Sequence, residues 1–336
     1  MTQFSLEFDS PQPVEPPTPA KEEAAPQAPN WDQMARLLAQ HADYRVLRRL
    51  VPCLDYGPKS HIPETGEDDS RVQHVLVLDT ETTGLSHQAD KIIELAMLLV
   101  AVDSATGLPF GPVDIFEGFE DPGMPIPPVA QEITGISDEM VRGQRLDDAT
   151  VAAMVARANL IVAHNAGFDR PFVEARFPGF AAKPWACSFA DIDWKAAGAG
   201  SSKLSALAND QGWFYDAHRA QVDCHALLQV LTQPVGDSGT TGLSQLIHAA
   251  AQPSYQVRAT GSPFETKDKL KARGYRWDAD AKVWSCRVVS EPLLDEELAW
   301  LKEAVYGNRR AQAEVEALDG LTRYSLRGGT ARVANA

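Results

Sequence analysis

Four consecutive apolar residues, Val75 to Leu78, predict a strand buried on both faces, because a strand with one wet face would alternate instead. A second run from Lys91 to Val100 predicts another strand, separated from the first by a turn containing Gly84, and Leu160 to Ala163 predicts a short third one. Helical spacing appears over about 147–157, from near Asp169, and around 203–211 and 219–232. Strands followed by alternating strands and helices predict an α/β architecture with a mixed central sheet flanked by helices. Upstream, Met34, Leu37, Leu38, Tyr44, Val46, Leu47 and Leu50 recur near helical spacing, so one or two helices are expected between Trp31 and about Val51. After about residue 254 the texture changes. Phe264 to Gly274 reads as a Lys-rich helix closed by Gly274 at the C′ position, and Tyr275-Arg276-Trp277, a turn over 278–280, and Lys282 to Val288 read as a hairpin. A small α+β C-terminal domain is therefore expected.

A chain of 336 residues exceeds the usual compact domain, in keeping with that division. Residues 1–30, rich in Pro, Glu and Ala, are expected to be a disordered tail, 31–70 a short helical segment and linker, and 71–252 the α/β domain. Residues 253–327 form the small domain and 328–336 a second disordered tail. No apolar run is long enough for a bilayer, and the first residues lack the basic and apolar regions of a secretory signal, so a cytoplasmic location without membrane partners is expected. Cys53, Cys187, Cys224 and Cys286 form no CxxC pair, which predicts free thiols rather than a zinc site.

Charge sharpens the division. The net charge of −15 resides in the middle: residues 60–253 hold 11 Lys/Arg against 26 Asp/Glu, whereas residues 254–336 hold 14 against 12. Such an acidic segment repels phosphate unless divalent cations intervene, so polynucleotide chemistry there requires metal and basic help from elsewhere.

Three segments carry candidate chemistry. The first strand runs into Asp79-Thr80-Glu81, whose carboxylates at i and i+2 project from one face and can reach one ion; a solvated strand end would look the same. Oxygen ligands of this kind suit Mg²⁺ or Mn²⁺ better than zinc. The second segment is His164-Asn165-Ala166-Gly167-Phe168-Asp169, at a strand end and helix start, where Asp169 also reads as an ordinary N-cap. Phe168 reads as core. The third is His218 to Asp223, whose five-residue offset would put the two side chains about 140° apart on one helix. They meet at one site only if Asp223 lies on the helix and His218 on the loop before it. A lone His218 is otherwise an ordinary surface residue.

Together, Val77 to Leu85, His164 to Asp169 and His218 to Asp223 resemble the three motifs of the DEDDh exonuclease superfamily, which includes the proofreading epsilon subunit of bacterial DNA polymerase III. Ile133 to Met140 is similar to an intervening family segment, and the resemblance covers residues 72–251. It implies a ribonuclease H-like fold and 3′-to-5′ hydrolysis of phosphodiester bonds with two Mg²⁺ or Mn²⁺ ions, releasing nucleoside 5′-monophosphates. By resemblance, Asp79 would bridge both ions, Glu81 and Asp223 would complete the first, and Asp169 would support the second. His218 would be the general base. Thr82, Thr83, Gly84 and Leu85, with His164 and Asn165, are the expected substrate-binding residues. The implied substrate is a single-stranded or frayed 3′ end, DNA ahead of RNA, with a DNA polymerase or another replication or repair protein as partner. A non-catalytic docking subunit is the alternative of a different class, and the intact set of five residues argues against it.

The C-terminal domain resembles a small unit appended to plasmid primases and other DNA-processing proteins. Lys267, Lys271, Arg273, Arg276 and Lys282 beside Trp277 and Trp284 are candidates for nucleic-acid contact; equally, so small a unit needs aromatic residues for its own core.

Overall fold

The computed structural model describes residues 29–58, 71–279, 281–307 and 312–335. Residues 1–28 of the tail expected over 1–30, and 59–70 of the helical segment and linker expected over 31–70, lie outside these. The chain divides into two compact units, one ending at Val46 and the other starting at Leu47. Within the first, helix α1 (Trp31–Ala39) starts where the Asn30 side chain accepts the Gln33 N–H at 3.0 Å. The helical reading fails beyond it. Arg48–Arg49 form strand β1, which belongs to the second unit. The apolar spacing there resembled a helix, but the partner that makes it a strand lies far downstream.

In the second unit, β2 (Val72–Thr82), β3 (Ile92–Asp103) and β4 (Pro109–Phe119) form an antiparallel meander. The short helices α2 (Pro128–Thr134) and α3 (Asp138–Val141) and then α4 (Asp148–Arg157) lead to β5 (Leu160–Ala163), which joins β2 in parallel. Helix α5 (Ala166–Arg176) crosses to β6 (Trp185–Cys187), parallel to β5, giving the sheet order β4-β3-β2-β5-β6. Then come α6 (Ser188–Asp191), α7 (Leu204–Asp210), β7 (Trp213–Phe214), α8 (Ala220–Leu231) and α9 (Gly242–Ala251). Strand β7 pairs with β1. This is the mixed sheet flanked by helices that the hydrophobic pattern predicts.

Strand β2 sits in the middle of that sheet, and its apolar run is continuous because both faces are covered. Val75 and Val77 pack toward α7, α8 and α9, while Leu76 and Leu78 pack toward α4 and α5. Phe168 packs at the edge of this second core against Phe172, as expected of it.

The C-terminal domain is a five-stranded antiparallel sheet ordered β12-β11-β8-β10-β9, with β8 (Ser254–Ala259), β9 (Arg276–Asp278), β10 (Val283–Val288), β11 (Gln312–Leu318) and β12 (Thr330–Asn335). Helices α10 (Lys267–Arg273) and α11 (Glu291–Trp300) cover it, and Gly274, at φ 100°, ends α10 in the left-handed conformation expected of it. The reading of 328–336 as a disordered tail is corrected: residues 330–335 are β12, paired to β11 along its length. Its small and polar composition hid it, because an edge strand needs little apolar surface.

A loop over 319–327 binds the two domains. The fully buried Arg170 of α5 stacks over Trp185 at 5.2 Å, pairs with Glu174 at 2.7 Å, and donates to the carbonyls of Gly320, Leu321 and Arg323. Arg323 in turn donates to the carbonyls of Ala249 and Gln252. On β10, Arg287 pairs with the buried Asp191 at 2.7 Å, an oxygen that also accepts the Tyr324 hydroxyl. Arg170→Met removes a buried cation from all of its acceptors and is expected to destabilise the protein by about 3–5 kcal/mol in denaturant titrations. A loss well under about 1 kcal/mol would mean that water reaches those carbonyls and that the loop does not seal the seam.

Candidate active site

Alternation along β2 sends Asp79 and Glu81 to the α8 side and Thr80 to the α5 side. Helix α8 delivers Asp223 in its first turn, and the carboxylates of Asp79, Glu81 and Asp223 offer oxygens that all lie within 4.8 Å of one another. Asp169 arrives from the other face. Its Oδ1 accepts both the Thr80 N–H at 3.1 Å and the Thr80 hydroxyl at 2.8 Å, which fixes it beside the strand end. Asp169 is therefore no N-cap: Asn165, in the left-handed conformation at φ 71°, holds the cap position of α5. His218 and Asp223 divide as the spacing requires, His218 exposed on the loop at φ 70° and Asp223 on the helix. Three donors hold Asp223, namely the N–H groups of His218 at 2.8 Å and Arg219 at 3.2 Å and the Tyr215 hydroxyl at 3.1 Å.

Crowding leaves a clear electrostatic signature. Burial, then the charges of Asp223, Glu94 and Asp169, pushes Glu81 up to about 8. Burial also raises Asp169 to about 7 against the hydrogen bonds from Thr80, and it raises Asp79 well above the carboxylate range, aided by Asp169, Asp223 and Glu81. An all-oxygen set under such mutual repulsion fits a hard divalent cation. Asp79, Glu81 and Asp223 are the residues placed to hold one.

The comparisons with known proteins agree with this geometry. Residues 76–231 match the family model of the RNase T type, described as Exonuclease. Residues 76–231 are thus similar to an exonuclease family. The chain is 27% identical across 174 residues to a "DNA polymerase III PolC-type" of Caldanaerobacter subterraneus subsp. tengcongensis, covering 47% of this chain and 12% of that protein. The protein of the same name from Bacillus subtilis is 30% identical across 177 residues, covering 45% of this chain and 11% of that one. The chain thus spans about a tenth of the length of these relatives. Among solved structures, Exonuclease X in complex with 5′ overhanging duplex DNA aligns with a TM-score of 0.37 and 23% identity, over 51% of this chain and 99% of that one. Among the described residues no helix is long and apolar enough to cross a membrane.

In the α/β domain the turn after β2 begins at a bulge between Glu81 and Thr82. The Thr82 hydroxyl donates to the Gly84 carbonyl at 2.6 Å, and Thr83 bonds Asp90 at 3.0 Å. A Cβ on Gly84 would lie 2.6 Å from an Asp90 oxygen, so a side chain there would displace the Asp90 carboxylate that holds the turn. Leu85 is 86% exposed beyond the turn. Nδ1 of His164 lies 2.6 Å from the Ser188 hydroxyl, and the ring stands edge-on to Phe189; burial pushes its imidazole down to about 4, so it is neutral at physiological pH. Asn165 is exposed.

Glu94 and Tyr215 lie outside the three motifs, and Arg219 lies inside the third without having been singled out as a site residue. Glu94 is fully buried, faces Glu81 across the β2–β3 pair, and accepts from Arg219 at 2.9 Å and from the Ala220 N–H at 3.0 Å. This anchors the start of α8, and with it Asp223. A signal existed, since Glu94 is the one charged residue between Ile92 and Val102, and a lone charge in a buried strand needs a partner. In the C-terminal domain, Lys267, Lys271, Trp277, Lys282 and Trp284 line one groove, but Arg273 pairs with Glu297 at 3.1 Å and stacks on Trp300, and Arg276 is not in the lining. Both arginines lie outside the lining of that groove.

A carboxyl whose pKa is raised by folding stabilises the fold when protonated and loses that advantage as pH climbs through its folded pKa. In EDTA, the melting temperature is therefore expected to fall between about pH 5 and pH 8 as Glu81 and Asp169 ionise. Glu81→Gln should flatten that decline, and Mn²⁺ should offset it. Equal pH profiles for parent and variant by calorimetry would contradict the crowded geometry.

Proposed function

We propose that the chain hydrolyses DNA from its 3′ end with divalent cations, releasing nucleoside 5′-monophosphates. The observation that carries this reading is the convergence of Asp79, Glu81 and Asp223 within 4.8 Å at the end of β2, with Asp169 reaching the same strand end from the opposite face. Asp79, Glu81 and Asp223 would hold one cation, and Asp79 with Asp169 a second. Cations bound there supply charge neutralisation for the phosphodiester, activate the attacking water and stabilise the departing oxygen.

The protein's own groups do the rest. His218, exposed on a loop where its own N–H is bonded to Asp223, takes the proton from the attacking water, the role of general base that histidine fills most often. Leu85 presents an apolar face to the terminal base, while the Thr82-Thr83-Gly84 turn, held by Asp90, lets backbone approach the terminal nucleotide. DNA is favoured over RNA because the relatives that match are named DNA polymerases. A polymerase or another replication or repair protein is the matching class of partner.

With Mg²⁺ or Mn²⁺, 5′-labelled single-stranded or frayed DNA is expected to shorten as a ladder from the 3′ end, faster than RNA of the same sequence. Asp79→Ala should abolish the ladder. His218→Ala should lower kcat by about 10²–10⁴-fold while cation affinity, measured calorimetrically, is retained. No product from any of these substrates would reject the proposal, faster cleavage of RNA would reverse the substrate assignment, and matched loss of cation affinity in His218→Ala would remove it as the base.

A further inference from the structure

The groove of the C-terminal domain has a volume of about 500 Å³, within the range of small-ligand sites, and is lined by Phe264, Lys267, Lys271, Trp277, Lys282 and Trp284 together with small residues. Trp277 and Trp284 are direct partners in the β9–β10 register, with ring centroids 5.5 Å apart at 59°. Trp277 is 51% and Phe264 75% exposed, although the domain closes its core with Tyr255, Val257, Leu270, Tyr275, Leu294 and Val315. The domain does not need these two rings inside. Cations accompany the aromatics: the Lys267 ammonium lies 4.1 Å from the Phe264 ring and that of Lys271 5.9 Å from Trp284. No carboxylate appears among the described residues of the lining.

We propose that this groove binds single-stranded polynucleotide, stacking unpaired bases on Trp277, Trp284 and Phe264 and pairing their phosphates with Lys267, Lys271 and Lys282. The inference rests on the exonuclease reading for its class of polymer and adds to it a capture site. Exposed rings accept any base on their faces, and three lysines in a lining whose described residues include no carboxylate complement the phosphate chain; duplex bases, stacked on one another, leave the rings nothing to hold. The acidic exonuclease domain gains the basic help its own charge requires. Rigid coupling follows from β10 itself, for the strand that carries Trp284 also carries Arg287, pinned to Asp191 of the exonuclease domain. Long strands should therefore reach both groove and active site, and short ones only the active site.

The test uses the full chain, because the loop over 319–327 makes truncation disruptive. Binding of a labelled oligothymidylate of about 30 nucleotides is followed by anisotropy in EDTA, where cleavage is blocked. Trp277→Ala is expected to weaken binding about tenfold. Lys267→Ala with Lys271→Ala should weaken it and lower the log–log salt slope by about 1.4, at ~0.7 per lost phosphate contact. The lysine pair keeps the test open should the Trp277 variant fail to fold. With Mn²⁺, both variants should raise KM for the long strand and leave hydrolysis of a trinucleotide unchanged. Unchanged affinity and salt slope would overturn the groove alone, as would variants that lose binding to anionic phospholipid vesicles while still binding the oligonucleotide. Groove-dependent binding in a parent that cleaves nothing would uphold the groove and reject the exonuclease reading.

Discussion

Carboxylates crowded at the end of one strand repel one another, and the rest of the structure is arranged to hold them there. Asp79, Glu81 and Asp223 keep oxygens within 4.8 Å, and burial raises the proton affinity of each. An isolated hairpin would splay under such a load. Here β2 is clamped by helices on both faces, so the alternation of its side chains sorts the ligands between two sides of the sheet: Asp79 and Glu81 toward α8, Thr80 with Asp169 toward α5. The position of the acids is a property of the buried strand beneath them.

Contacts behind the carboxylates make that position durable. Glu94 grips Arg219 and the first turn of α8, while Tyr215 and two backbone N–H groups grip Asp223. The left-handed backbone of His218 turns the loop so that its N–H serves Asp223 while its imidazole stays exposed. Binding of a ligand residue and presentation of an imidazole are thus two ends of one residue.

What could be read from the chain follows how local each cause is. The run Val75 to Leu78 announced a strand covered on both sides because burial is written into consecutive residues, and the His218–Asp223 spacing allowed a shared site only across a loop-to-helix junction, since on one helix the two side chains would point about 140° apart. Strand β1 was misread as helix, since its pairing with β7 joins residues far apart in sequence. Strand β12 was missed for a related reason: small and polar, it is defined by β11 rather than by its own composition. Glu94 lies between these cases, a visible anomaly whose partner Arg219 was invisible until folded. Arg273 shows the limit of counting charges, because a basic residue near a groove had already been claimed by Glu297.

The knot around Arg170 has a consequence for how the molecule is made. Arg170 follows Asp169 directly, and its guanidinium is buried against carbonyls that lie 150 to 153 positions later in the chain. During synthesis the helix that carries Asp169 emerges long before those acceptors exist. Until they do, a desolvated cation without its full set of partners sits one residue from a member of the acidic cluster, which opposes closure of that part of the core. The acidic centre is therefore completed by the segment that follows β11, and a nascent chain gains its finished geometry only after its basic groove has already been translated.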